Sequence, residues 1–243
     1  MKSILVKELN SFFAHPLGYV VIGIFLLFSS LFLWVFNNDY NLFNYGFAHL
    51  APFYELLSWM LLFLVPALSM KSFSDEIKQG TIEILFTKPI SLWQLTLGKF
   101  FGNWLVIAIA ILPTLLYILT ISSLALEDAK LEYASFFVSY FGSLLLAGCF
   151  VAISLFCSAI AKNQLISFLF AVVLCFLSFF ALEGISQVGI FGDASMGLDY
   201  LSLSFHFKSM TRGVIDSRNI VFMLSVMLVF LFLTQFQLKK LID

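Results

Sequence analysis

The chain has 243 residues, 61% of them hydrophobic and 11% charged, with a mean hydropathy of +1.02 and a formal net charge of −1. Ordinary soluble domains carry roughly 25% charged residues, so this composition excludes a water-soluble fold and defines an integral membrane protein. The near-zero net charge says little by itself, because in a membrane protein the distribution of charge carries the information.

Residues Lys2 to Phe13 repeat at helical spacing, with Leu5, Leu9, Phe12 and Phe13 on one face and Lys2, Lys7, Glu8 and Ser11 on the other. That pattern predicts an amphipathic helix over 1–15, lying in the membrane interface. Pro16 then opens a new helix, where its missing N–H costs nothing. The apolar run from Leu17 to Phe36 is longer than a signal-peptide core and lacks a small-residue cleavage pattern, so it reads as a retained span. Spans are expected at about Pro16–Phe36, Leu50–Met70, Phe100–Leu124, Ala134–Ile160, Leu165–Leu182 and Asn219–Leu238. Each approaches the roughly 20 apolar residues that cross a bilayer. Pro66 and Pro113 fall inside helices and predict kinks. Cys149, Cys157 and Cys175 all lie in apolar runs, read as buried thiols, and suggest neither disulfide nor metal.

Lysine and arginine give the orientation. One set of loops holds Lys2, Lys7, Lys71, Lys78, Lys88, Lys99, Lys162, Lys239 and Lys240; the other holds Lys130, Lys208, Arg212 and Arg218. The first set is predicted to be cytoplasmic, with both termini inside, and Lys71, Lys78 and Lys99 are read mainly as topology markers. The opposite face has a long segment, 183–218, too short for its own core and too apolar for a free loop. Short helices are expected there, dipping into the outer leaflet or packed on the bundle, with Gly213 ending one of them.

Absent chemistry narrows the function. No phosphate-binding G-x-x-x-x-G-K-[ST] loop occurs, so nucleotide hydrolysis by that route is excluded. His15, His49 and His206 are scattered over both faces and cannot share a metal. Glu55 and Glu183 sit near span ends at the outer interface, and with no charge at mid-membrane depth ion-coupled transport loses ground.

The densest charge lies in 71–99, between the second and third spans. Lys78 and Gly80 read as the end of a helix continuing past the membrane surface. Thr81 to Thr87 form two turns with Ile82, Leu85 and Phe86 on one side, ended by Pro89. Ser91 with Gln94 makes a capping box, supported by an Ile90–Leu95 staple, so the third helix should start at Leu92. The result is a helical hairpin whose exposed apolar knuckle suggests a docking surface.

The run from Ser72 to Ser91, SFSDEIKQGTIEILFTKPIS, resembles the D/E-x-x-x-G-T-x-E-x-L-x-T-x-P-[IV]-S signature of ABC-2 type permeases. Glu76, Gly80, Thr81, Glu83, Leu85, Thr87, Pro89 and Ser91 occupy motif positions, with Ile82 and Phe86 on the same knuckle. The likeness extends over essentially the whole chain, and SFSDE, LFTKPIS and the late FHFKSMTRGVIDSRNIVFMLSV also resemble permease subunits of gliding motility. The resemblance implies an all-α integral membrane fold: a six-transmembrane-helix ABC-2 type permease bundle with an N-terminal amphipathic interfacial helix and a cytoplasmic coupling helix. It implies no enzyme activity and no cofactor, ATP being bound by a partner ABC ATPase subunit. It further implies a second permease subunit, identical or motility-related, among membrane lipids of the bacterial inner membrane, and no nucleic acid. Outward transport of a lipid, polymer or peptide cargo, and mechanical transmission to envelope proteins, are the two functions that follow. A membrane-embedded enzyme is the weaker third reading, because no catalytic constellation occurs.

Overall fold

The computed structural model describes residues 2–14, 16–45, 49–82, 91–124, 133–187 and 199–241, and these are helical with short connections. In chain order the helices are α1 (Lys2–Phe13), α2 (Pro16–Ser30), α3 (Leu42–Tyr45), α4 (Ala51–Ser69), α5 (Lys71–Lys78), α6 (Leu92–Ile111), α7 (Leu116–Leu124), α8 (Tyr133–Ile160), α9 (Gln164–Phe176), α10 (Leu182–Gln187), α11 (Leu203–Thr211) and α12 (Ser217–Lys240). Wide π-turns extend α2 through Leu31–Val35 and α9 through Leu177–Ala181. A 3₁₀ turn, Leu112–Leu115, joins α6 to α7. Six of the resulting helical stretches are long and apolar enough to cross a membrane.

The bundle is built around α8. Its best apolar window is 83% buried, against 22% for the first and fifth spans, so α8 is the axis and those two face lipid. The sequence of α8 explains this place. Without a hydrophobic drive between helices in lipid, close approach depends on small residues, and α8 supplies Gly142, Ala147, Gly148 and Ala152. A Cβ on Gly148 would lie 2.8 Å from Met227 Cε of α12, and one on Gly142 would lie 3.0 Å from Met210 Cβ of α11. Trp104 of α6 crosses to α8 and donates its indole N–H to Leu144 O at 2.9 Å.

Polar side chains join the remaining spans. Tyr117 of α7 meets Ser29 and Ser30 of α2 at 3.0 and 2.9 Å, and Tyr140 of α8 meets Thr114 at 2.7 Å. The two internal prolines behave differently. Pro66 stays within α4, whose chain continues so that the Met70 N–H bonds to Pro66 O. Pro113 instead sits in the 3₁₀ turn, the tighter geometry that accommodates its missing donor.

Helix starts agree with the capping chemistry. α2 begins at Pro16, and α6 begins at Leu92 with both halves of the Ser91/Gln94 capping box formed. The proposed staple partner Ile90 lies outside the described residues. At the far end, Gly213 takes φ +80° after α11, where its N–H bonds to Met210 O, ending the helix as the sequence predicts. α11 packs on the bundle, with Leu203, His206, Phe207 and Met210 buried against it.

Candidate functional site

The site is assembled at the lysine-rich end, where α4 passes through Met70 into α5. Ser158, fully buried near the end of α8, holds this junction. Its hydroxyl accepts from the N–H groups of Phe73 and Ser74 at 2.9 and 3.0 Å and donates to Met70 O at 3.0 Å. A partner from another helix thus serves the first turn of α5, where N–H groups run short of carbonyls in their own helix. Gln164, the first residue of α9, donates to Asp75, tying α5 to a third element.

Lys99 is the centre of the arrangement. It lies in the second turn of α6 and is only 2% exposed. Its ammonium is 3.0 Å from Glu76 Oε1 of α5 and 3.2 Å from Glu8 Oε1 of α1. It also donates to Ser72 O and sits 4.9 Å from the centre of the Phe73 ring. Asn103, one turn further along α6, donates to Ser72 Oγ and to Lys99 O, both at 2.9 Å. At the rim, Lys7 Nζ approaches Glu76 Oε1 to 3.7 Å, so two lysines face two carboxylates. Burying an ammonium this deeply is tolerated only with such partners.

Close backbone packing brings Glu8 into range. A Cβ on Gly102 would lie 2.7 Å from Glu8 Cβ and 3.7 Å from Leu5 O, so a glycine there lets α1 lie directly on α6. Two expectations change as a result. Lys99, read from sequence as a topology marker, is a buried interhelical ion-pair centre. Glu8, placed by periodicity on the polar face of α1, turns toward Lys99 while Ile4 is buried. A signal for this was present: a lysine in the second turn of a predicted helix, flanked by Gly98 and Phe100 and with Asn103 at i+4, needs a partner from another element.

The hairpin residues singled out by sequence are partly described. Glu76 is in the ion-pair centre, with its Oε2 buried and without a partner among the described residues. Gly80 takes φ +66° and ends α5, its N–H bonding to Ile77 O. Thr81 Oγ1 donates to Glu76 O at 3.4 Å. Ser91 caps α6. Ile82 corrects an expectation of exposure: it is 7% exposed and joins the core. Glu83, Leu85, Phe86, Thr87 and Pro89 lie outside the described residues.

At the opposite end, Glu183 of α10 accepts from Lys208 Nζ and from Ser204 Oγ, each at 2.5 Å. Burial raises the carboxyl's pKa, but these two bonds outweigh it and hold the group below the ordinary glutamate range. A depressed acid stabilises the fold above its unfolded pKa, and that contribution is lost as pH falls through the lower folded value. Acidification below the ordinary glutamate range should therefore loosen α10 from α11, by at most about 1 kcal/mol because Lys208 is half exposed. Faster amide exchange in α11 at low pH, absent in Glu183→Gln, is the measurement.

Six apolar crossings around a small-residue axis, with a polar segment clamped to an amphipathic helix at one end, define a multi-pass membrane protein. The family model described as ABC-2 family transporter protein matches residues 10–239, and the chain belongs to that family. It is thus a membrane permease subunit of an ABC transporter, whose ATPase is a separate partner. No curated protein matches the chain.

Proposed function

We propose that this permease sits in the bacterial inner membrane with both termini cytoplasmic, and that hairpin 71–99 receives the ATPase. The observation carrying this reading is the Lys99 centre, which ties α1 and both limbs of the hairpin, α5 and α6, into one body. Force applied to Glu83–Thr87 reaches α4 through the Ser158-held junction and α6 through Lys99. ATP binding and hydrolysis on the partner then rock the bundle between inward- and outward-open states, moving cargo outward. Ile82 anchors the knuckle from within, and Glu83, Leu85 and Phe86 present the contact surface. A single six-span subunit implies two permeases per working unit, identical or paired with a related one. The wider match of SFSDE, LFTKPIS and Phe205–Val226 is similar to the gliding-motility permease subunit GldF, which supports a role in that process.

Glu83→Lys and Leu85→Asp should each leave the protein folded in the membrane yet abolish co-purification of the ATPase and stimulation of its activity. Retention of both by both variants sinks the docking surface. For orientation, a cysteine at Lys88 should label only from the cytoplasm, and one at Asp128 only from outside.

One observation supports a second output. α11 packs on α8, the helix whose Ser158 holds the α4–α5 junction, so hairpin motion has a stiff path to the outer segment. Mechanical transmission to an envelope partner is the corresponding function. ATP-dependent flux in proteoliposomes favours export; ATP-driven movement of α11 without flux favours transmission.

A further inference from the structure

The second span begins with a cap that is not an oxygen. The N-cap position of α4 is Leu50, whose side chain has no acceptor, and Ala51 is followed by Pro52, which has no N–H to satisfy. The Tyr54 N–H reaches Leu50 O at 3.2 Å and opens the helical ladder. That leaves the Ala51 N–H, and the ring of His49 takes it: Nδ1 accepts at 2.8 Å. Asn and Asp side chains make the same i to i+2 bond in Asx turns; here an imidazole makes it. The surroundings are packed. Leu50, Phe53 and Tyr54 are fully buried, and the His49 ring lies 6.3 Å from the ring of Phe136 on α8, whose carbonyl accepts from Tyr54 Oη at 3.1 Å.

An accepting nitrogen fixes the state of the ring. Nδ1 can take the Ala51 N–H only while it carries no proton, so the cap exists with a neutral imidazole whose hydrogen is on Nε2. A proton on Nδ1 turns the acceptor into a donor and sets two N–H groups against each other. It also places a positive charge at a helix N-terminus, where the dipole opposes it. Among the described residues, the titratable groups around this helix start are Glu55 on α4 itself, Asp39 and Tyr40 from the turn before α3, and Tyr54, Tyr133 and Tyr140 at the contact with α8. α8 carries no Asp, Glu, Lys, Arg or His. Of these side-chain types, imidazole alone changes charge between pH 5 and 8. The 19 residues of α4, about 28 Å of helix, separate His49 from the α4–α5 junction.

We propose that His49 is a proton-sensitive cap of the second span. Neutral, it closes the first turn of α4; protonated, it releases the Ala51 N–H and that turn frays. The cap's contribution is therefore present at higher pH and lost on acidification. The proton comes from the face of the membrane opposite the hairpin, so acidity there loosens the far end of the span that leads into α5. The consequence for coupling rests on the proposed function above; the cap itself rests only on the geometry at α4.

The test is amide hydrogen exchange of the full chain in nanodiscs at pH 5.5 and pH 7.5, corrected for the intrinsic pH dependence of exchange and read at Ala51, Phe53 and Tyr54. The wild type should open this turn about fivefold more readily at pH 5.5, the effect of losing one side-chain cap. His49→Asn offers an oxygen for the same i to i+2 bond and does not titrate, so it should stay protected at both pH values. His49→Ala should exchange at the faster level at both. The wild-type comparison does not depend on how either variant folds. No ATPase is present, so failure here leaves the docking surface of Glu83, Leu85 and Phe86 untouched. Equal corrected opening of the wild type at the two pH values, a pH response that survives in His49→Asn, or a His49→Asn turn that opens as readily as that of His49→Ala each overturns the proposal.

Discussion

Lys99→Ala is expected to destabilise the protein by about 3–5 kcal/mol, the cost of removing one partner from a buried ion pair. Glu8 and Glu76 would then face each other across the gap left by a side chain that is 2% exposed. Both carboxylates are mostly buried, their side chains 20% and 15% exposed, and Lys7 at the rim is 3.7 Å from Glu76, too exposed to replace the lost ammonium. The loss should appear as a lower unfolding midpoint in detergent and as detachment of α1, read by protease cleavage before Pro16. Adding Glu8→Gln and Glu76→Gln to Lys99→Met removes the unpaired charges and should restore most of the stability, since desolvation offsets much of what a buried pair contributes. Coupling to the ATPase should stay lost in that triple variant, because the mechanical link is gone while the fold is kept. If Lys99→Met alone behaves like a substitution at the exposed Lys71, the centre has no energetic role.

The second large effect is expected at Ser158. Ser158→Ala should cost about 2 kcal/mol, because burying backbone N–H groups without an acceptor carries most of their desolvation penalty. The hydroxyl is fully used, accepting from Phe73 and Ser74 and donating to Met70 O. No water reaches the junction to replace it, since Ser72, Phe73 and Ser74 are all buried. Ser69→Ala, one residue before Met70, is the control. Its hydroxyl is buried without a hydrogen-bond partner among the described residues, so its removal should be neutral or slightly stabilising. Thermal unfolding of the two variants side by side separates loss of a cap from loss of a buried hydroxyl. Equal midpoints would remove Ser158 from the account of the junction.

Much of this architecture was legible because bilayer physics acts on single segments. An apolar run of span length must become a helix to satisfy its own backbone, and so six crossings could be counted from composition alone. Capping is equally local: Pro16, Ser91 with Gln94, and Gly213 mark helix ends through bonds to residues no more than four positions away. The hairpin motif was visible for the same reason, as a polar, glycine- and proline-bounded interruption between two spans.

What stayed hidden depends on contacts between elements remote in sequence. Nothing in the first helix says that Glu8 meets a lysine 91 positions away, because amphipathic periodicity reports only which residues share a face. The absent side chain of Gly102 lets α1 approach α6 closely enough for Glu8 to reach inward, and that becomes a fact only once the helices are docked. Ile82 is similar: its spacing puts it on the knuckle's apolar side, and tertiary packing decides that this side faces the core at that position. The sequence by itself therefore determined a six-span helical membrane protein with a polar segment between its second and third spans, since hydropathy and capping are short-range. The tertiary structure alone decided that Lys99 is the buried joint of that hairpin, because a charge inside a bundle is placed by the partners that desolvate and pair it.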